Sequence, residues 1–334
     1  MSSFKVVQVH TKSKDFRAAT KIVDVPAIET PAPGCVVVKN CFLGINATDI
    51  NVTSGAYTGT LPPPFGCGLE AAGRVFAIGE GVTDVKVGDS VGYQKFGAFA
   101  EYVEVPAANL IKTPELSPSV VTLTVGGLSA SIALEHIGEM KSNETVFVSA
   151  AAGGTGQYAV QLAKLAGNHV IGTCSTDEKA ELLKKLGCDR AINYMKEDVD
   201  AVLKKEYPNG LDLVFESVGG DLFKAVTNNL AVHARVILFG YISAYHGDKS
   251  NEPMLVNELS PKLLTKSASL RGFILFNHFE HIPSHTKRLL KLIAEGSLNP
   301  GIDSTEFRGL ESIPDAIDYM YARKNMGKLI IKLE

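Results

Sequence analysis

Two patterns of apolar and polar positions divide the chain. Up to about residue 120, short strand-like runs dominate: FKVVQV, GCVVVKNCFLGI, AAGRVFAIG and AEYVEVP, with glycine and proline punctuation at residues 60–64 and 79–88. From about Leu123, apolar runs (VFVSA, HVIGT, RAINY, LDLVFES, ARVILFG, ASLRGFIL) take over, the first five separated by helical patterns near 155–167, 177–187, 196–206 and 220–230. A further helix is expected near 284–296. Such alternation predicts a doubly wound parallel sheet. The segment from about Asn299 ends in the strand-like LIIKL and is expected to return to the first domain. The chain therefore reads as α/β with two domains: a β-rich one from residues 1–122 and 299–334, and a parallel-sheet one from 123–298.

The first strand of the second domain leads into Ala151-x-Gly153-x-x-Gly156, and then into a helical pattern with Tyr158, Leu162, Leu165 and Ala166 on one side. Strand, glycine turn and helix in this order form a dinucleotide-binding fingerprint, here with alanine for the first glycine. A side chain at Gly153 would obstruct a pyrophosphate, for which backbone N–H groups and the helix N-terminus supply positive potential. Gly153, Gly154, Thr155 and Gly156 are the predicted contacts. An NAD site usually places a carboxylate about 20 residues past the glycines. This chain has Thr173-Cys174-Ser175-Thr176 there, and its first carboxylate is Asp177. The Ser175 hydroxyl and the Lys179 cation suit a 2′-phosphate, so NADPH is expected. The same residues also read as a solvated helix start, with Lys179 facing water. Both readings can hold.

Composition narrows the classes. The 334 residues carry a net charge of −3 and are 45% hydrophobic, enough for sizeable cores. That balance argues against nucleic acid or an anionic membrane as partner. No apolar run looks long enough to span a bilayer. The N-terminus lacks the apolar core of a secretion signal, and the C-terminus lacks an SKL address. Cytoplasmic placement is expected, with mitochondrial or peroxisomal placement left open. Five cysteines without a close pair make no disulfide framework. No internal repeat is visible. The polar loop at residues 244–261 is the clearest irregular insertion.

Several separate motifs resemble the medium-chain dehydrogenase/reductase superfamily along the whole chain. Gly68-Leu69-Glu70-Ala71-Ala72-Gly73 matches its GHE-type segment, Val87-Gly88-Asp89-Ser90-Val91 its GDxV turn, and Gly97-Ala98-Phe99-Ala100-Glu101-Tyr102 its GxxAEY run. The AAxGGxG turn resembles the quinone-oxidoreductase-like branch. The resemblance implies a GroES-like β-rich catalytic domain and a Rossmann domain. The segments at residues 169–179, 186–194, 206–220, 262–272, 309–313 and 319–327 resemble reductases of 15-oxoprostaglandins. That likeness implies NADPH-dependent reduction of the carbon–carbon double bond of α,β-unsaturated ketones. Zinc-dependent members place a cysteine where Asn46 stands and a histidine where Leu69 stands. They also insert a four-cysteine lobe where only a short link joins Tyr93 to Gly97. Losing both catalytic ligands removes that zinc site, so no metal is expected. Cys67 then reads as a buried, unligated thiol. His136, His233, His278 and the other histidines match no metal-ligand spacing and read as structural or surface residues.

Without a metal, the enolate that forms as hydride adds to the β-carbon needs hydrogen-bond donors, and the α-carbon needs a proton. The resemblance makes Tyr57, Asn46 and Tyr241 the candidate catalytic residues, with wall, turn and packing roles as the plainer alternatives. Tyr245 shares the irregular region of Tyr241. Asp49 reads as a fold-fixing carboxylate. Further implied cofactor contacts are Tyr194, Phe239, Gly240, Phe273, Ile274, Leu275 and Asn325. Subunit pairing through an edge strand near 269–275 implies a homodimer. Quinone reduction and a non-catalytic NADPH-binding role remain as alternatives.

Overall fold

The structure is a computed structural model that describes residues 2–245 and 256–333, so part of the 244–261 loop lies outside the described residues. The chain divides into two compact units, Met1–Val125 with Ile302–Glu334, and Gly126–Gly301. Each joint falls three residues beyond the position expected from the sequence pattern.

In the first unit, the strand Cys35–Gly44 pairs antiparallel with Glu70–Ile78, Tyr102–Pro106 and Ile330–Lys332. Its valines are covered on both faces, which is why Val36-Val37-Val38 forms an unbroken apolar run. Lys39 ends that run, and Asn40 beyond it is buried. Its Nδ2 donates to the carbonyls of Ala98 (3.2 Å) and Ala100 (2.8 Å), and its Oδ1 accepts from the Tyr93 hydroxyl at 2.9 Å. One amide thereby holds the glycine-rich turn before Tyr102 against the sheet. A second sheet joins Thr20–Pro26, Ser3–Val9 and Phe65–Gly66. Thr20–Pro26 escaped the sequence reading because its apolar positions are few and largely solvent-facing.

The second unit holds a six-stranded parallel sheet in the order Arg190–Asn193, His169–Cys174, Thr145–Val148, Leu211–Glu216, Leu230–Leu238, Ser269–Gly272. Strand order reverses beside Thr145–Val148, so the glycine turn emerges at the switch point where such sheets bind ligands. The helices Gly154–Leu165, Asp177–Lys185, Val199–Glu206 and Gly220–Asn228 follow the first four strands of the unit in chain order. Thr176 and Asp198 cap two of them through side-chain oxygens. In Gly154–Leu165 the buried face carries Tyr158, Ala159, Leu162 and Ala163, whereas Leu165 is exposed, contrary to the sequence expectation. Leu165 lies on the same side as Tyr158 but is the last residue of the helix, beyond the buried run of residues 156–163.

A helical stretch, Ser119–Ile137, meets the length and hydropathy of a membrane span, which corrects the expectation that no such apolar run exists. Of that window, 78% is buried within the protein, as in the core helix of a globular enzyme.

Candidate functional site

The glycine turn is built by close approach. Ala150 sits at φ +45°, in the left-handed region, and starts the turn. A Cβ on Gly156 would lie 2.4 Å from the Ala150 carbonyl oxygen and 2.8 Å from the Ala151 Cα, so only glycine lets this helix approach the strand end. A Cβ on Gly153 would be merely tight, 3.3 Å from the same oxygen. Gly153 is the N-cap of Gly154–Leu165 and offers no side-chain cap. The first-turn N–H groups of Gly154, Thr155 and Gly156 therefore have no side-chain acceptor from the cap position, a suitable setting for a phosphate.

At the end of the neighbouring strand, Lys179 is only 7% exposed, and its Nζ lies 3.4 Å from Ser175 Oγ. It does not face water, so the solvated-helix-start reading fails for this residue. Thr176 supplies the cap, accepting from the Lys179 N–H at 3.3 Å. The first carboxylate, Asp177, is turned outward to Lys196 and to Asn193 Nδ2 (2.8 Å), which hold it below the usual carboxylate range. Tyr194 is brought beside this corner, its N–H donating to the Cys174 carbonyl at 3.1 Å.

Farther along the same sheet edge, Phe239 lies between Phe215 (centroids 4.7 Å apart) and Phe273 (5.7 Å). The N–H groups of Phe239 and Gly240 share the Glu216 carbonyl, and Phe273 N–H donates to Leu238. The carbonyls of Ile274 and Leu275 accept from Asn277 and His278 N–H within a short turn. Tyr241 is 53% exposed and packs edge-on against buried Tyr245. The sequence reading passed over Glu216. It is fully buried, and its Oε1 accepts from Val218 N–H (2.6 Å) and Gly219 N–H (2.7 Å). Burial pushes its carboxyl up to about 7 against those two N–H groups.

In the first unit, Asn46 is committed to a buried network. Its Nδ2 donates to Glu70 Oε1 (2.9 Å) and to the Gly44 carbonyl (3.3 Å), and its Oδ1 accepts from Lys328 Nζ at 2.8 Å. Lys328 pairs with Glu70, which also accepts from Thr124 Oγ1 and, at 2.8 Å, from Val125 N–H. An ammonium thus already neutralises the carboxylate beside Asn46. Neither Glu70 nor Lys328 was singled out from sequence, although Glu70 stands within the Gly68–Gly73 motif and Lys328 directly follows the segment 319–327. Asp49 Oδ2 accepts the Asn46 N–H at 2.8 Å, and its Oδ1 has no hydrogen-bond partner among the described residues. Burial pushes Asp49 up to about 7, opposed by the Asn46 N–H and Lys328. Burial likewise drives the Cys67 thiol well above its ordinary value, with its Sγ 3.6 Å from the Val7 carbonyl. A protonated thiol, an amide with both N–H groups used and Leu69 do not make a catalytic zinc set. Tyr57, 37% exposed, follows the helix Asp49–Thr53 and is anchored by its N–H to the Asn51 carbonyl at 3.0 Å. Asn325 Nδ2 donates to the Gly327 carbonyl at 3.0 Å.

The histidines, read from sequence as structural or surface residues without metal-ligand spacing, are partly clustered in the structure. His136, His278, His281 and His285 come together in the second unit, with Glu135 and Glu280. The spacing of His278, His281 and His285, three and then four residues apart, was the signal that could have shown it. His136 joins from a distant helix and was invisible to spacing.

Residues 154–295 match the model of the zinc-binding dehydrogenase family, and residues 32–115 that of the alcohol dehydrogenase GroES-like domain. The chain is 46% identical to prostaglandin reductase-3 of Mus musculus over 98% of its own length and 89% of that protein. It is 44% identical to a protein of Leishmania amazonensis named "Probable quinone oxidoreductase", over 100% of this chain and 99% of that one. The crystal structure of Escherichia coli quinone oxidoreductase complexed with NADPH superposes with a TM-score of 0.86 at 27% identity, covering 98% of this chain and 100% of that one. The chain belongs to the medium-chain dehydrogenase/reductase superfamily, in its quinone-oxidoreductase-like branch. It is an NAD(P)-dependent oxidoreductase with a GroES-like domain and a six-stranded parallel Rossmann sheet, acting on small-molecule substrates.

The raised Asp49 carboxyl has a pH consequence. An acid whose pKa is higher in the folded state stabilises the fold below its unfolded value of 3.8, and that contribution is lost as pH rises towards about 7. Asp49→Asn removes the titration. Its stability relative to the parent is expected to improve between pH 4 and 7, by at most ~4 kcal/mol at about 1.36 kcal/mol per pH unit. Thermal midpoints measured at several pH values check this.

Proposed function

We propose that the chain is an NADPH-dependent reductase of the carbon–carbon double bond of α,β-unsaturated ketones, of the 15-oxoprostaglandin 13-reductase kind. The observation that carries the cofactor choice is buried Lys179 beside Ser175, at a strand end whose first carboxylate, Asp177, is turned to Asn193 and Lys196. The substrate class rests on the 46% identity to prostaglandin reductase-3.

When bound, NADPH supplies a hydride to the β-carbon of the enone. The N–H groups of Gly153, Gly154, Thr155 and Gly156 would hold the pyrophosphate, and Ser175, Lys179 and Tyr194 the adenosine phosphate. Phe239, Gly240, Phe273, Ile274 and Leu275 are assigned to the nicotinamide, and Asn325 to a contact from the C-terminal segment. Negative charge grows on the substrate carbonyl oxygen, where a tyrosine hydroxyl lowers the barrier by donating. Tyr57 and Tyr241 are the candidates, both with exposed rings. Asn46, its amide hydrogens already spent, is assigned to positioning within the Glu70–Lys328 network. The α-carbon takes its proton from a hydroxyl or water. Ser269–Gly272 stands at one edge of its sheet, and pairing of two copies there would satisfy its open backbone groups, giving a homodimer.

Incubation with NADPH and a 15-oxoprostaglandin is expected to yield the 13,14-dihydro-15-oxo product, identified by mass spectrometry and NMR. The Leishmania relative favours quinone reduction as a second reading. Quinone-dependent NADPH oxidation without any dihydro product would select it. Lys179→Ala is expected to weaken NADPH binding ~10–100-fold, the worth of one charge-assisted hydrogen bond, while NADH binding changes little. Fluorescence titration with both cofactors reads the difference. Tyr57→Phe is expected to lower kcat ~100-fold with NADPH affinity retained, measured by steady-state kinetics.

A further inference from the structure

Four of the chain's eight histidines meet where the segment Ala133–Ile137, the turn Phe279–His281 and the helix Ile282–Ala294 converge. His136 Nε2 and His285 Nε2 face each other at 3.0 Å. Ligand atoms of Glu135, His136 and His285 all lie within 4.8 Å of one another. We propose that Glu135, His136 and His285 form a binding site for a divalent transition metal of the zinc type, one that clamps these segments together and serves no part of the hydride chemistry.

Two imidazole nitrogens on one zinc at ~2.05 Å stand ~3.3 Å apart in tetrahedral geometry and ~2.9 Å apart at a right angle. The observed 3.0 Å falls within that bite, so little motion is needed to turn both lone pairs onto one ion. Without metal, the two nitrogens can face each other only by sharing a proton. For two neutral rings, metal binding moves that proton from His136 Nε2 to its Nδ1, a change of tautomer through solvent, so both Nε2 lone pairs ligate with no net proton lost.

The surroundings are those of an oriented ligand set. His285 is 3% exposed, and its Nδ1 lies 2.7 Å from Ser131 Oγ. A hydroxyl accepting at Nδ1–H places the lone pair on Nε2, the nitrogen that faces His136. The His136 ring is stacked on His281 with centroids 3.7 Å apart and planes 13° from parallel, which fixes its plane. Arg288 holds Glu135 Oε2, while Glu135 Oε1 lies 3.9 Å from His136 Nε2. One carboxylate oxygen is thus anchored and the other is turned towards the imidazoles. His136 remains partly accessible, its side chain 33% exposed, which leaves an entry path and room for water as the fourth ligand.

His136 projects from Ala133–Ile137, a π-helical turn at the end of a longer helix. This wider turn ends the helical stretch at Ile137 and aims His136 where a regular helical turn would not place it. Glu280 Oε1 lies 3.3 Å from His281 Nε2, and together with His278 it forms an adjoining outer triad within 4.8 Å.

The test is metal titration of the full-length, EDTA-stripped protein, with Zn²⁺ by calorimetry and Co²⁺ as the spectroscopic probe. The expected result is one tightly bound equivalent, a rise in thermal midpoint on adding Zn²⁺, and paramagnetic shifts of the His136 and His285 imidazole protons with Co²⁺. His136→Ala is expected to weaken binding at least ~10-fold. This variant leaves the buried His285–Ser131 contact in place, and circular dichroism of the metal-free protein confirms its fold. His233→Ala, exposed at a positive-φ position of the strand Leu230–Leu238, is the control and should leave binding unchanged. Absence of a stoichiometric equivalent, or equal affinity in His136→Ala, would overturn the proposal. Should that variant not fold, unshifted His136 and His285 signals in the parent protein with Co²⁺ overturn it instead. None of these readouts depends on cofactor or turnover.

Discussion

The first unit depends on an ion pair buried between parts of the chain far apart in sequence. Glu70 and Lys328 are almost wholly removed from water. Desolvating two charges costs several kcal/mol each, so the pair persists only with its remaining donors and acceptors satisfied. Asn46, Thr124 and the Val125 N–H complete the carboxylate, and the Asn46 carbonyl completes the ammonium. The C-terminal segment is thereby tied to the first 125 residues electrostatically as well as through the strand Ile330–Lys332. Removing either partner alone would strand a charge in the core, which is why the discontinuous unit behaves as one body.

The same network explains how a chain matching a zinc-binding dehydrogenase family can lack its reaction-centre metal set. Where zinc-dependent relatives of this resemblance would present a thiolate and an imidazole, this chain presents an amide and Leu69. The neighbouring carboxylate is already neutralised by a lysine. Asp49, one turn away, spends its charge capacity on a backbone N–H. Electrostatics here serve to hold a loop and two segments in register. Chemistry that needs only donors at a developing oxyanion is compatible with such a scaffold.

The second unit works by steric economy. Gly156 lets a helix N-terminus come within contact of the preceding turn, and the uncapped N–H groups that result are the electrostatic resource of the fold. At the next strand end, a lysine is buried beside a serine, while the first carboxylate in sequence, Asp177, is held by Asn193 and Lys196. Glu216 plays a quieter part, gathering two backbone N–H groups to shape the loop before Gly220–Asn228.

The order of elements, the parallel sheet, the glycine turn and the return of the C-terminus could be read from sequence, because each follows from local periodicity and from residues with distinctive backbone freedom. The branch of the superfamily was legible too, since its motifs are contiguous. Burial of Lys179 was not, because a helix-start lysine has the same sequence signature whether it faces water or the sheet. Nor was the partnership of Glu70 with Lys328, or of His136 with His285, for each joins residues more than a hundred positions apart, where no periodicity reaches. Local patterns carry the backbone's choices. Which charged and ligating side chains share a desolvated volume is decided only when distant segments pack, because the cost of burying them is met by partners that the chain brings from elsewhere.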